Sequence, residues 1–465
     1  MAILLHLILG FILGQYIWSR GFYLARKKRL ASAVGELYVP SVLFLFYGVA
    51  GFAIYFFDRY DRFEYAGVYF SDWSILWAFF VASVAILTIM FLVRLGLQKL
   101  RGIDLGSNEK KHERLLGTLL VVLLVLDSVA RVKMISAGEY FSWLRAALLV
   151  RGDLIAASPV SMLQSKFELV LFSLIAYKAI GSRKWFYVLV VLFFMVLLKG
   201  QRATLFQGVI VTSLTYLSFS KGSVDFGKLA KYGFISLVAF SVLSSIIVDV
   251  RGQFRENMNE AIANPAQAVK SIAVEYFPNA ILGGSQHEKD VSKVEIGQRL
   301  TLWSGSFSSE ISRLHSGKGY MPLEYFLEAI TLPIPSVIYP GDKPVVEQGP
   351  RTARWYGLGA NSQKSVEMYD GGSTSFSDIH KYGGLASVFV LSALYSFLLL
   401  AVAWFCICRY RQVGVVLFFA FALILDVRAN NFAQILVTFR DVILMLFFVE
   451  ILYFMSRVKI SGNRL

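Results

Sequence analysis

The chain has 465 residues, 56% hydrophobic and only 17% charged, with a net charge of +15. A water-soluble globular chain is nearer 25% charged, so a string of soluble domains is excluded and a polytopic membrane protein is expected. Two cysteines, Cys406 and Cys408, are too few and too close for a disulfide framework or a metal site.

A helix that spans a bilayer needs roughly 20 mostly apolar residues. Eleven runs meet or approach this: 2–19, 36–57, 73–94, 115–131, 160–180, 184–199, 202–220, 231–250, 384–407, 411–428 and 434–456. A dipping segment within 131–159 would make twelve. The first run has neither a basic leader nor a small-residue cleavage site, so it reads as an anchor rather than a signal peptide. The fold class is therefore all-α. Residues 1–250 hold eight spans, 251–383 form one large external loop, and 384–465 hold three more spans.

Alternate connections carry 22 Lys plus Arg on one side and 9 in the short connections on the other. The richer side is cytoplasmic by the positive-inside rule. The amino terminus and the long loop then face outward, and the carboxyl terminus faces inward. Much of the positive charge is thus an orientation signal, and nucleic acid is not an expected partner.

The cytoplasmic connections are too short for a nucleotide-binding domain. "GSVDFGKLA" (222–230) has Walker-like spacing, but Leu229 stands where Ser or Thr would hold magnesium. No two aspartates lie two residues apart, so the metal signature of nucleotide-sugar transferases is missing. No cofactor or metal is expected.

The loop 251–383 holds eight of the ten prolines and three of the five histidines. It is also rich in aromatic and aliphatic residues, so it reads as a compact, mostly helical cap rather than a linker. Within it, "GYMPLEYFLEAI" (319–330) predicts a short amphipathic helix with Leu323, Phe326, Leu327 and Ile330 on one side.

Cations gather at outward helix ends. "KGQRATLF" places Lys199 and Arg202 in a tight turn, and "DVRGQFREN" places Arg251 and Arg255 four residues apart. Arg145 and Arg151 lie in another outward connection, and Arg428 in the turn "LDVRANNF". Two readings stand side by side: cations that snorkel to the interface, or a site for an anion such as phosphate, which arginine binds bidentately. Arg440 and Asp441 lie within the last span and are placed to satisfy each other. Trp303 and Trp355 fit either sugar stacking or interfacial anchoring.

Three stretches together resemble bacterial oligosaccharide repeat-unit polymerases of the Wzy type, within the wider O-antigen polymerase and ligase superfamily. These are the span opening "RATLF" (202–206), "LPIPSVIYPGDKP" (332–344) and "DGGSTSFSDIHKYGGLASVFV" (370–390). The likeness covers most of 185–405. It departs at Asp378, where the family has Glu, at Lys381-Tyr382, where an Asn precedes Phe-Gly, and at Ser336, where Arg is common.

The resemblance implies glycosyl transfer at the periplasmic face of the inner membrane. A growing glycan leaves its undecaprenyl diphosphate and joins a sugar hydroxyl of the next lipid-linked unit. The substrate is an undecaprenyl-diphosphate-linked oligosaccharide, and the family works beside a chain-length regulator. The departing diphosphate needs fixed cations and the acceptor hydroxyl needs a base. On this reading Arg202 and Arg251 bind diphosphate, helped by Lys199, Arg255 and Arg428, while His380 and Asp378 are the base candidates. The rivals are an O-antigen ligase, which shares core and chemistry, a flippase or secondary transporter, and a scaffold. A transporter's internal repeat is not found.

Overall fold

The computed structural model describes residues 1–27, 29–56, 71–99, 109–136, 159–199, 202–219, 303–331, 333–334, 374–425 and 432–461, with isolated positions at 270, 271, 274, 339 and 355. The described residues are helical, with no strand among them. Five helices among them are long and apolar enough to cross a membrane. The predicted span 231–250, most of the loop 251–383, and the connection 137–158 lie outside the described residues.

The helices are α1 (Ala2–Arg26), α2 (Leu30–Ile54), α3 (Asp72–Gln98), α4 (Glu109–Ser136), α5 (Pro159–Ala179), α6 (Arg183–Lys199) and α7 (Arg202–Phe219). They continue with α8 (303–313, extended by a π-helical turn Leu314–Lys318), α9 (Leu323–Ile330), α10 (Ser375–Ile424) and α11 (Phe432–Ser461). The chain forms two compact units. Unit 1 contains Met1–Ile103, Glu295–Phe405 and Leu425–Met445; unit 2 contains Asp104–Val294, Cys406–Ile424 and Leu446–Leu465.

Local chemistry explains the helix ends. Ser71 caps α3 in a reciprocal capping box with Ser74, and Asp72 adds an acid to the first turn. Thr374 and Ser377 cap α10 in the same way: the Thr374 amide donates to Ser377 Oγ at 2.8 Å and the Ser377 amide to Thr374 Oγ1 at 3.2 Å.

The 50 helical residues of α10 would measure about 75 Å if straight, more than twice a bilayer core. They are not straight. Gly384 has a φ of +61°, and Ser387 Oγ reaches back eight residues to the Ile379 carbonyl at 2.9 Å. Arg411 has a φ of 55°. Tyr395 Oη then donates to the Leu425 carbonyl at 3.3 Å, a contact that 30 residues of continuous helix cannot make. The chain therefore doubles back at Arg411, where the sequence predicts a cytoplasmic turn at 409–411. A Cβ at Gly414 would lie 1.9 Å from the Cys406 carbonyl oxygen, so only glycine fits that close approach.

In unit 1, α1, α2 and α3 pack together. Arg20 and Glu36 form a buried bidentate pair at 2.7 and 2.8 Å. The π-helical turn Phe44–Val49 interrupts α2, and His6 Nε2 donates to the Gly48 carbonyl within it at 2.9 Å. The same turn faces α8: Phe46 stacks on Trp303 at 4.7 Å, and Tyr47 meets Phe307 edge-on. Trp303 is thus packed inside the unit. The predicted amphipathic helix is present as α9, with Leu323, Leu327 and Ile330 exposed.

In unit 2, α4 to α7 pack with the 406–424 limb of α10. Gly208 lets α7 approach the Phe172 ring of α5, and Gln207 Nε2 donates to the Leu423 carbonyl at 3.0 Å. Tyr177 Oη donates to Gln412 at 2.8 Å. Arg409 and Tyr410 both hold the Glu450 carboxylate of α11.

Candidate functional site

Unit 1 buries an unusual density of polar side chains where α8 meets the first turns of α10. Glu310 is 6% exposed, Asp378 1%, His380 4% and Lys381 4%. Ser304, Ser306, Ser308, Ser309, Ser375 and Ser377 are buried with them. Burying charge without partners is costly, so the pairing within this cluster decides what each group can do.

Asp378 is firmly held. One carboxylate oxygen accepts the Phe432 amide at 2.8 Å, at the first residue of α11. A carboxylate there also meets the positive end of the helix dipole. The other oxygen forms an ion pair with Lys381, one helical turn on. Around this pair the Met321 amide donates to the Lys381 carbonyl at 2.9 Å, and Phe326 stacks on Phe432 at 4.8 Å. Asp378 thereby ties α10 to α11, with α9 packed beside them.

His380 and Glu310 differ. The His380 ring meets Phe307 edge-on at 5.3 Å, and among the described residues neither ring nitrogen has a hydrogen-bond partner. Glu310 likewise has no ion-pair or hydrogen-bond partner among the described residues. Burial pushes its carboxyl up to about 8; the positive charge of Lys381 opposes that rise and Asp378 adds to it. The Ser304 and Ser306 hydroxyls are also buried without a partner. Ser306 lies four residues before Glu310, on the same helical face. Elsewhere in unit 1, Arg440 donates to the Pro333 carbonyl at 3.0 Å and to Asp441 at 2.7 Å, and its side chain keeps one third of its surface exposed.

Unit 2 buries a second cluster. Arg131 pairs with Asp127 and with Glu168, each at 2.7 Å. Gln164 donates to Asp127 at 2.9 Å and to Glu168 at 2.6 Å. Lys199, at the end of α6, pairs with Glu168 at 3.2 Å and donates to Ser165 at 3.0 Å and to Gln164. Two cations face two anions, and Lys199 is 1% exposed.

The sequence-predicted residues therefore scatter. His380 and Asp378 share the unit 1 cluster. Lys199 belongs to the unit 2 network as the counter-ion of Glu168 rather than as a bare cation at a surface turn. α6 ends at Lys199 and α7 begins at Arg202, as the sequence predicts; the two residues between lie outside the described residues. The Arg202 side chain, and Arg251, Arg255 and Arg428 altogether, lie outside what is described, as do Asn430 and Asn431. Sequence reasoning missed Glu310, Lys381, Asp127, Arg131, Gln164 and Glu168. The available signal was spacing: Asp127–Arg131 and Gln164–Glu168 are both four-residue steps inside apolar runs, which put both members on one face.

Compared with protein-family models, curated proteins and solved structures, the chain matches none. The functional reading rests on the residues and their geometry. Chemically, the unit 1 cluster offers a neutralised Asp378–Lys381 pair and two buried titratable groups, Glu310 and His380, without a hydrogen-bond or ion-pair partner among the described residues.

Proposed function

We propose that the protein is a membrane-embedded glycosyltransferase that polymerises undecaprenyl-diphosphate-linked oligosaccharide repeat units. In this reading the chain crosses the bacterial inner membrane eleven times and works at the periplasmic face under the 251–383 cap. The observation that carries it is the unit 1 cluster: titratable groups nine-tenths buried within the stretch that resembles the polymerase loop. Enclosed acid–base groups beside membrane-length helices suit a lipid-linked substrate whose reacting end lies at the interface.

The transfer needs no nucleotide, because the lipid diphosphate is itself the leaving group. The acceptor hydroxyl loses its proton as its oxygen bonds to the anomeric carbon, and the bond from that carbon to phosphate breaks. Fixed positive charge stabilises the departing diphosphate, the role assigned to Arg202 and Arg251 with Arg255 and Arg428 in support. Lys199 acts through position: its ion pair with Glu168 anchors the end of α6, three residues before Arg202 in sequence. Asp378 likewise holds the site together, through Lys381 and the Phe432 amide. A chain-length regulator is the proposed protein partner.

The test uses purified protein and lipid-linked repeat units, with no nucleotide or metal added. A ladder of lengthening lipid-linked glycan, lost in Arg202→Ala at normal folded yield, is the expected result. Transfer onto lipid A core without a ladder replaces the polymerase with a ligase. Passage of the lipid across vesicle bilayers without new glycosidic bonds replaces it with a transporter.

A further inference from the structure

Three buried features lie outside the roles assigned so far: the unit 2 ion network, an apolar groove between α1 and α2, and Glu310 with its serines. The network is internally paired. The groove, about 500 Å³ and lined by residues such as His6, Phe11, Phe44 and Phe52, has nothing beside it that selects an occupant. Glu310 is a reactive group without a partner, and it carries an inference.

We propose that Glu310 is the catalytic base that accepts the proton of the attacking sugar hydroxyl. The inference rests on the glycosyltransferase reading and names a residue which that reading does not assign. Glu310 is 94% buried, taking its 6% exposure, and among the described residues nothing pairs with its carboxyl. Ser306, one turn away on the same face, holds a second orphaned polar atom. Buried polar groups are almost always paired, so two orphans on one face mark a place built to meet a polar ligand.

Charge decides between Glu310 and His380. A buried imidazole that takes a proton becomes a cation, whereas a buried carboxylate becomes neutral. A site of low dielectric favours the neutral product. Asp378 is unavailable because its two oxygens already serve Lys381 and the Phe432 amide. The charged and titratable groups that act on Glu310 are Lys381 and Asp378 from α10 and Tyr47 from α2. Only Lys381 favours the ionised carboxylate. The step balances: the hydroxyl proton moves to Glu310, the oxygen bonds to the anomeric carbon, and the bonding pair to phosphate leaves with undecaprenyl diphosphate. Glu310 then returns the proton to solvent.

The experiment compares wild type with Glu310→Gln and Glu310→Asp. The substrate is the lipid-linked repeat unit extracted from cells deleted for this protein, so its sugars need not be known. Initial rates are read from pH 5.5 to 9. In wild type the rate rises with pH and levels off above about 8, as the carboxyl ionises. Glu310→Gln lowers kcat by about 10²–10⁴-fold, leaves KM within a few fold, and removes the pH limb. Glu310→Asp keeps a limb at reduced rate with a shifted midpoint, which decides the matter if the Gln variant does not fold. A wild-type ladder with an unchanged rate and limb in Glu310→Gln, or an unmoved midpoint in Glu310→Asp, overturns the base assignment and leaves the polymerase. No ladder from wild type overturns both.

Discussion

Among the described residues, the two largest clusters of buried charge are built in different ways. In unit 2, Asp127, Arg131, Gln164, Glu168 and Lys199 form a network in which each cation meets an anion and Gln164 bridges both carboxylates. In unit 1, Asp378 and Lys381 cancel each other, while Glu310 and His380 stay unpaired among the described residues. A network whose charges are paired holds its helices in register. An open one sacrifices stability to keep reactive groups available. Incomplete pairing, not burial of charge alone, sets the unit 1 cluster apart.

The sharpest way to break this contrast is to unpair the unit 2 network. Glu168→Leu leaves Lys199 and Arg131 without their shared anion and should cost about 3–5 kcal/mol, read as a lost monodisperse peak and a lower Tm in detergent. Removing both charges should cost less than removing one. Glu168→Leu with Lys199→Met is expected to recover part of that loss, measured as a coupling energy in a double-mutant cycle. If the two single effects simply add, the network is not a unit and the contrast fails.

The open cluster should respond in smaller steps. Asp378→Asn keeps a carbonyl oxygen for the Phe432 amide but leaves Lys381 buried without its anion. A loss of about 1–3 kcal/mol is expected, read by thermal unfolding. Glu310 predicts a pH dependence with a definite sign. Its folded-state pKa is raised from 4.5 to about 8, so the protonated form is favoured on folding. The resulting stability is present below pH 4.5 and is lost as pH rises through about 8. Wild type should therefore lose Tm relative to Glu310→Gln between pH 5 and pH 8. A parallel pair of curves would show that Glu310 is solvated. The smallest effect is local: Gly384→Ala forces a side chain into a φ of +61° and 2.5 Å from Tyr320 Oη. A cost of about 1 kcal/mol is expected, with the break in α10 shifted or straightened.

The sequence was legible where physics is one-dimensional. Apolar run length predicts helices that begin and end within a few residues of 73–94, 160–180, 184–199 and 202–220. The turn at 409–411 and the amphipathic helix at 323–330 follow from charge and periodicity, and the Arg440–Asp441 pair from adjacency. Each depends on neighbours in the chain and on the low cost of apolar side chains in lipid. Segment 384–407 was less complete: α10 starts earlier, at Ser375, because the Thr374–Ser377 cap satisfies its first amides. Hydropathy does not register a cap.

Which charges meet could not be read along the chain. Lys199 and Arg202 look alike as cations flanking one turn. Yet Lys199 is consumed by Glu168, 31 residues away in sequence, and Asp378 by an amide 54 residues on. Glu310 is one acid in a serine-rich stretch until packing excludes water from it. Composition and run length determined that this is an all-helical membrane protein, because transfer free energy is nearly additive over residues. Tertiary structure alone decided which ionisable groups are paired and which are buried without an ion-pair partner among the described residues, because pairing and desolvation act through space.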